Sequence, residues 1–473
     1  MESNPGIKRG LLVNFSLYFV AVIFTICVLE LSTFYDYKRW ALQSLPVYCF
    51  AALITGLLFI GCKLFSEKKD DSASILNETA VVRSNIVFSF SAKIWGFIKD
   101  CLTKEKNVFF LQAAVAFAVF LGALIVPLSY NIVKLNQHTL PIGQNGKYVQ
   151  PEVQVIEVAG KKLDHGKGPY VAPPKKSGTS LLATPKPMPV NDYFAYLPGM
   201  SFFGVAYNED VPKLLSDSRW YFSLFGLGGF ALAGFLLKKD RNFKLTCFIT
   251  LSLLPTATLT LATGGDDIPV IAFMVLSAVL LYRDKALLAG LSMGFAMSLK
   301  FTAWLMFAVV VYTILRKYST RNAIKFFAGT FVVLMPILIA GIYDNVYGFV
   351  TNAIRFPLGL SGTSSPADSA LPGHLITSHF PHYKGVILLF LIALFLIACI
   401  AFAAKYPPTD IYSMLFAVSF VMTAAILLAP NTRFGYLNYP VDLAAVAVAI
   451  LLDSKGTNNV PDSVLPPQVL SSV

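Results

Sequence analysis

The chain reads as an all-α polytopic membrane protein with about twelve transmembrane helices. Three observations predict this. Of 473 residues, 56% are hydrophobic and only 14% are charged, and the mean hydropathy is +0.64. Apolar runs of about 20 residues, the length that crosses roughly 30 Å of hydrocarbon, recur from end to end. Within the runs the apolar residues are continuous rather than alternating, which argues against a membrane β-barrel.

The expected spans are 11–31, 44–63, 108–130, 217–237, 244–262, 268–283, 286–299, 301–316, 323–341, 385–405, 411–429 and 439–452. The two around Lys300 are short, the pattern of half-helices or of a tight hairpin dipping into the membrane. The first run follows Lys8 and Arg9 and lacks a small-residue cleavage site, so it reads as a retained helix rather than a signal peptide. Cys27, Cys49, Cys62, Cys101, Cys247 and Cys399 have no metal-site spacing and fall in spans or cytoplasmic segments, so no disulfide framework is expected.

Orientation follows from the short loops. Lys238, Lys239, Arg241 and Lys244 form one basic cluster, Arg283 and Lys285 a second, and Arg316, Lys317, Arg321 and Lys325 a third. Placing all three in the cytoplasm puts both termini inside and the long loop 131–216 outside. Long loops translocate largely regardless of charge. Topology and attraction to anionic lipid account for the formal charge of +12, and no basic-aromatic module points to nucleic acid. Residues 1–107 hold two helices and a cytoplasmic linker, whose segment 82–100 suits the membrane surface. Residues 108–452 form the main transmembrane unit, with a Pro- and Lys-rich extended stretch at 171–190. Residues 453–473 read as a disordered cytoplasmic tail.

All five histidines (His138, His165, His374, His379 and His382) fall on the expected outer face, together with Asp266, Asp267, Arg355 and Arg433. A working surface outside is the simplest inference. Within the outer loop, Pro151-Glu152 opens a helical segment with Ile156, Ala159 and Leu163 on the same face as Glu152. An acid there suits the helix dipole, and it also suits a general base held at the membrane surface. Thr263 to Pro269 puts Asp266 and Asp267 where two spans meet. They read as a helix cap, as sugar hydrogen-bonding groups or as carboxylates for a divalent cation. Lys300 sits between apolar runs, either snorkelling from a helix end or facing a lipid phosphate. Arg355 and His374 suit phosphate binding. The turn from Asn431 to Pro440, with Arg433 and Tyr436, reads as an interfacial aromatic belt or as part of the site.

Gly166-Lys167-Gly168-Pro169-Tyr170 and Tyr193-Phe194-Ala195-Tyr196-Leu197-Pro198 resemble motifs in the first outer loop of GT-C glycosyltransferases. The resemblance is greatest to glycosyltransferase family 87, the bacterial polyprenol-phosphate-mannose-dependent α-mannosyltransferases, in which an Asp stands where Glu152 stands here. GGDDIPVIAF, LLAGLSMGFAMSLKFTAW, RFPLGL with SPADSALPGHL, and TRFGYLNYP extend the resemblance, toward an actinobacterial branch, over roughly residues 108–452. The first two spans are left as an addition. The chain departs from the family in the extra methylene of Glu152, and in Val153, Val155 and Ile156 where aromatic residues are usual.

The resemblance implies a GT-C-like bundle with a long catalytic first outer loop, multi-pass in the cell membrane. It implies inverting transfer of a hexosyl group from a polyprenyl-phosphate donor to a lipid- or glycan-linked acceptor on the outer face. Mannose is the family default and arabinofuranose the rival. Glu152 is then the base. Lys300, Arg355, His374 and Arg433 flank the leaving phosphate, and Tyr196, Asp266, Asp267 and Tyr436 contact sugar or acceptor. The implied partners are donor, acceptor and membrane lipid, with no cofactor and no metal ligand set. Two other readings compete. A transporter or flippase would show broken helices in related halves, with charges near mid-membrane. A non-catalytic lipid-binding assembly factor on the same fold is kept in play by the Glu at position 152.

Overall fold

The computed structural model describes residues 5–32, 35–71, 104–137, 149–170, 193–208, 210–358, 360–361, 369, 371–431 and 434–455. Segments 82–100 and 171–190, His138, Cys101, Arg433 and the tail beyond residue 455 lie outside the described residues. The described residues are 84% helical and contain no strand, so the all-α polytopic class holds. In chain order the helices are α1 (Pro5–Leu31), α2 (Tyr35–Asp71), α3 (Glu105–Val119), α4 (Val126–Gln137), α5 (Pro151–Asp164), α6 (Ser218–Leu236), α7 (Arg241–Phe248) and α8 (Pro255–Thr263). They continue as α9 (Asp267–Tyr282), α10 (Ala286–Leu299), α11 (Thr302–Lys317), α12 (Thr320–Ile342), α13 (Pro372–His379), α14 (Lys384–Lys405), α15 (Ile411–Leu428) and α16 (Asn438–Lys455). A π-helical turn, Phe120–Ile125, joins α3 to α4.

Each of the twelve expected stretches is helical, but the helices are of two kinds. Seven are long and apolar enough to cross a membrane, and α7 with α8 makes an eighth if the pair, bent by 42°, counts as one span. The shorter apolar helices α9 and α10 are interior. Nearly every residue of α9 from Ile268 to Leu281 is buried, so its neighbours satisfy it and it need not span alone. The chain breaks between α10 and α11 at Lys300 and Phe301, where Lys300 turns extended (φ −147°, ψ 151°). This is the interruption that the short runs predict.

Packing inside a bilayer relies on close backbone approach and on polar groups that find partners. Gly290-x-x-x-Gly294 on α10 lies against α12, where an added Cβ would fall on the Phe326 and Thr330 carbonyl oxygens. The N-terminal helices are tied in by polar bonds. Asn14 Nδ2 donates to Gln112 Oε1 (3.0 Å), and Thr246 Oγ1 donates to Asn14 Oδ1 (3.0 Å). Trp40 Nε1 donates to the Ala123 carbonyl (2.9 Å), and Tyr48 Oη donates to the Leu253 carbonyl (3.0 Å). Tyr18, Trp40 and Tyr48 share one apolar core with α9 and α16. The helices read as an addition therefore pack as part of the bundle.

The helix order puts the turns at 238–240, 283–285 and 406–410 at one end of the bundle, and the junctions at 264–266, 300–301 and 429–437 at the other. At the first end α16 runs past the expected start of the tail. Asp453 is fully buried, and its carboxylate accepts from Lys238 N (3.0 Å) and Tyr282 Oη (2.9 Å). Helix α14 stands apart, with only Leu388 and Leu391 buried along its length. An apolar groove of about 270 Å³ separates it from α11 and α15, lined by Leu305, Val309, Phe395, Cys399 and Phe402.

Gly290→Leu is expected to lower the melting temperature in detergent, with a loss of about 1–3 kcal/mol from overpacking the α10–α12 contact. Gly228→Leu, on a lipid-facing position with open space around it, should leave the melt unchanged. Equal melts for both variants would show that the close approach contributes nothing.

Candidate active site

The site is built at the second end, beginning with α5. Pro151 at the first turn supplies a preset φ, and Gln150 is the N-cap. Gln150 also holds the helix to its neighbours. Its backbone N–H donates to the Thr263 carbonyl (3.0 Å), and its Nε2 donates to Thr263 Oγ1 (3.0 Å) and to Tyr37 Oη (3.0 Å). Gly264, at φ +128°, lies against Val153 and Gln150, where a side chain would collide. Farther along, the backbone of Gly160 rests on that of Gly204, in the 3₁₀ segment Pro198–Gly204. The other end of α5 closes with Gly166 at φ +69° and Lys167 N donating to the Lys162 carbonyl (2.9 Å), a Schellman-type stop. The next glycine, Gly168, donates its N–H to Asp344 Oδ2 (2.7 Å).

These contacts set the half-buried Glu152 beside the Thr263–Asp267 turn. Its charge is close enough to raise the pKa of both Asp266 and Tyr196. On that turn Asp266 and Asp267 hold the Lys300 ammonium. Lys300 Nζ donates to Asp266 Oδ1 at 2.8 Å and to Asp267 Oδ1 at 2.6 Å. Tyr439 Oη donates to the same Asp267 oxygen (2.6 Å). The ammonium lies 5.2 Å from the Tyr196 ring centroid and 5.8 Å from that of Tyr436, within cation–π range. Tyr196 is held by its neighbours in sequence. Leu197 N donates to the Leu299 carbonyl (3.1 Å), Tyr170 Oη donates to the Tyr196 carbonyl (2.8 Å), and Phe194 N donates to Asn352 Oδ1 (2.9 Å).

Electrostatics follow from burial. Desolvation pushes the Asp266 carboxyl up to about 6, opposed by the Lys300 ammonium and reinforced by Asp267 and Glu152. Burial alone would lower Lys300, but the two carboxylates reverse this and hold it above the usual lysine value. Burial, with the charges of Asp266 and Glu152, raises the Tyr196 phenol well above its ordinary value.

The structure thus gathers Glu152, Tyr196, Asp266, Asp267, Lys300 and Tyr436 into one locality. Among the described residues, no hydrogen bond or ion pair joins Arg355 or His374 to it. Arg355 is exposed at the end of the π-turn Val350–Arg355, and His374 Nδ1 donates to the Pro430 carbonyl (3.0 Å). Among the described residues, neither makes an ion pair with Asp266, Asp267 or Lys300. Arg433 lies outside the described residues. No cluster of three or more His, Cys, Asp or Glu suited to a metal occurs among the described residues.

Sequence reasoning missed two features. Tyr439 was read only as part of an aromatic turn. The second is a buried network beneath α5. Arg219 is fully buried and bidentate on Asp217 (Nε–Oδ1 2.8 Å, Nη2–Oδ2 2.7 Å), and it also donates to the Ala262 carbonyl (3.3 Å). Glu157 Oε1 accepts from Ser218 N (3.1 Å). Burial first, then the Asp217 charge, push Glu157 well above the usual carboxylate range, which favours the neutral acid. The legible signal was Arg219 at the head of an apolar run, because an ionisable group at membrane depth needs a partner.

Arg219→Leu should cost about 3–5 kcal/mol, because it leaves Asp217 buried without its counter-charge. Glu157→Gln keeps the acceptor for Ser218 N and should change stability by less than about 1 kcal/mol. Thermal denaturation of the purified variants in one detergent distinguishes the two. Similar melts would mean that the network is not under charge control.

Residues 215–430 match the sequence profile of glycosyltransferase family 87. The matched region contains Asp266, Asp267, Lys300, Arg355 and His374, while Glu152, Tyr196 and Tyr436 lie outside it. No curated protein and no solved structure matches the chain. The profile match across residues 215–430, in a multi-pass helical bundle, supports a glycosyltransferase of family 87.

Proposed function

We propose that this membrane glycosyltransferase moves a hexosyl group, mannosyl in the simplest case, from a polyprenyl phosphate to a lipid- or glycan-linked acceptor. Transfer takes place on the extracytoplasmic face of the plasma membrane and inverts the anomeric centre. The observation that carries this reading is the joining of α5 to the Thr263–Asp267 turn through Gln150, which brings the Glu152 carboxylate near Asp266 and Tyr196. The sidedness rests on the lysines and arginines at the opposite end of the bundle, which the positive-inside rule assigns to the cytoplasm.

In this mechanism the Glu152 carboxylate takes the proton of an acceptor hydroxyl. The acceptor oxygen bonds to the anomeric carbon as the bond from that carbon to the phosphate oxygen breaks, through an oxocarbenium-like transition state. Asp266, Asp267, Tyr196 and Tyr436 orient sugar and acceptor hydroxyls. The departing polyprenyl phosphate gains a negative charge, and cations stabilise it. Arg355, His374 and Arg433 are assigned to the phosphate. Lys300 belongs with them by charge, although two of its N–H donors are engaged by the aspartates. The apolar groove between α11 and α14 suits an isoprenoid chain.

Proteoliposomes supplied with labelled polyprenyl-phosphate mannose, or with the arabinofuranose analogue, test the assignment. Glu152→Gln should lose about 10²–10⁴-fold in transfer while retaining donor binding. Equal transfer by variant and wild type would remove Glu152 as base, and donor binding without transfer by the wild type would favour a lipid-binding factor. A second expectation concerns pH. The Asp266 carboxyl, raised to about 6, is charged above that pH and takes a proton below it. Transfer should therefore fall on the acid side of about pH 6, and Asp266→Asn should abolish that inflection in the profile of kcat/KM.

A further inference from the structure

Two adjacent carboxylates at a helix start, with tyrosines beside them, make an arrangement that attracts a cation. Three observations show how this one is filled. The Lys300 ammonium enters from the α10–α11 break and bridges Oδ1 of Asp266 and Oδ1 of Asp267, with all three side chains at least four-fifths buried. The faces of Tyr196 and Tyr436 close over the ammonium, and the Tyr439 hydroxyl bonds to the Asp267 oxygen that it shares. Asp266 Oδ2 is buried and makes no hydrogen bond among the described residues. The cup therefore retains acceptor capacity beyond what Lys300 uses. Hard divalent cations take carboxylate oxygens, and Mg²⁺ keeps several waters beside the one or two carboxylates, with phosphate oxygens, that hold it.

We infer that the Asp266–Asp267–Tyr439 cup is a cation site whose resident ion is the tethered Lys300 ammonium, and that removing this side chain turns it into a site for a divalent metal ion. Lys300 supplies at this turn the neutralisation that a bound metal supplies at other acidic turns. The geometry accounts for the extended backbone at Lys300, which carries the side chain back toward a turn more than thirty residues earlier. It also accounts for the three aromatic side chains gathered at the ammonium. The inference does not depend on the identity of the sugar donor, and its test contains no donor, so its failure and that of the transferase reading are separable.

The test uses the full-length protein in phosphatidylcholine nanodiscs, titrated with Tb³⁺. Tyr196, Tyr436 and Tyr439 lie close enough to sensitise terbium emission. Lys300→Ala should give saturable tyrosine-sensitised emission, at least ~10-fold tighter than any wild-type signal and displaced by Ca²⁺ or Mg²⁺. Lys300→Arg, which keeps the cation, and Lys300→Ala/Asp267→Asn, which loses a ligand, should stay silent. Equal emission from wild type and Lys300→Ala would overturn the inference. Lys300→Ala also leaves two buried carboxylates unbalanced, so its melting temperature is followed in parallel. Ligand linkage predicts that Ca²⁺, Mg²⁺ or ethylammonium raises the variant's melting temperature by several degrees and leaves that of the wild type unmoved. A variant melt that ignores all three cations would overturn the inference even if the variant is poorly folded.

Discussion

The ion cluster of Lys300 with Asp266 and Asp267 is the constraint on which the second end of the bundle depends. An ammonium and two carboxylates are held among apolar helix ends, where each alone would be costly to bury. Together they connect three breaks in the chain: the turn before α9, the interruption between α10 and α11, and, through Tyr439, the start of α16. The short interior helices α9 and α10 each meet this cluster at one end. Among the described residues, seven helices are long and apolar enough to span a membrane, and α9 and α10 are shorter.

A second buried charge group, Arg219 with Asp217, plays a complementary part. It reaches the Ala262 carbonyl near the end of α8, and through Ser218 its helix start meets Glu157 on α5. The Thr263–Asp267 turn is thus held by polar contacts on two sides, with Gln150 above and Arg219 behind. Electrostatic order of this kind resists local displacement, because every small movement separates a charge from its partner in a medium of low dielectric.

The helices were legible in the sequence because continuous apolar runs of spanning length have few alternatives to helix in a bilayer. Asp266, Asp267 and Lys300 stand out in the sequence one by one, as ionisable groups beside apolar runs, and Glu152 stands out as an acid at a helix start. Their relation was not. Lys300 looked like an isolated cation available to a phosphate, because nothing local shows that its partners lie at positions 266 and 267. The same holds for Glu152, whose placement depends on Gln150 bonding to Thr263 more than a hundred residues away. Arg219 and Glu157 escaped notice because a helix-start arginine and a mid-helix glutamate look solvated until the tertiary fold buries them. Asp453 stands just past the last apolar run, and nothing local shows that its carboxylate accepts from Lys238 N and Tyr282 Oη elsewhere in the chain.

The contact of Gly160 with Gly204 has a consequence for the reach of the acid. Because α5 rests backbone on backbone, the helix cannot advance or withdraw to suit a side chain of different length. It behaves as a fixed ruler with the carboxylate at its tip. The extra methylene of a glutamate, compared with an aspartate, is then not absorbed by a helix shift and appears in full as reach beyond the helix. The position of the Glu152 carboxylate is thus written into this chain by the length of one side chain.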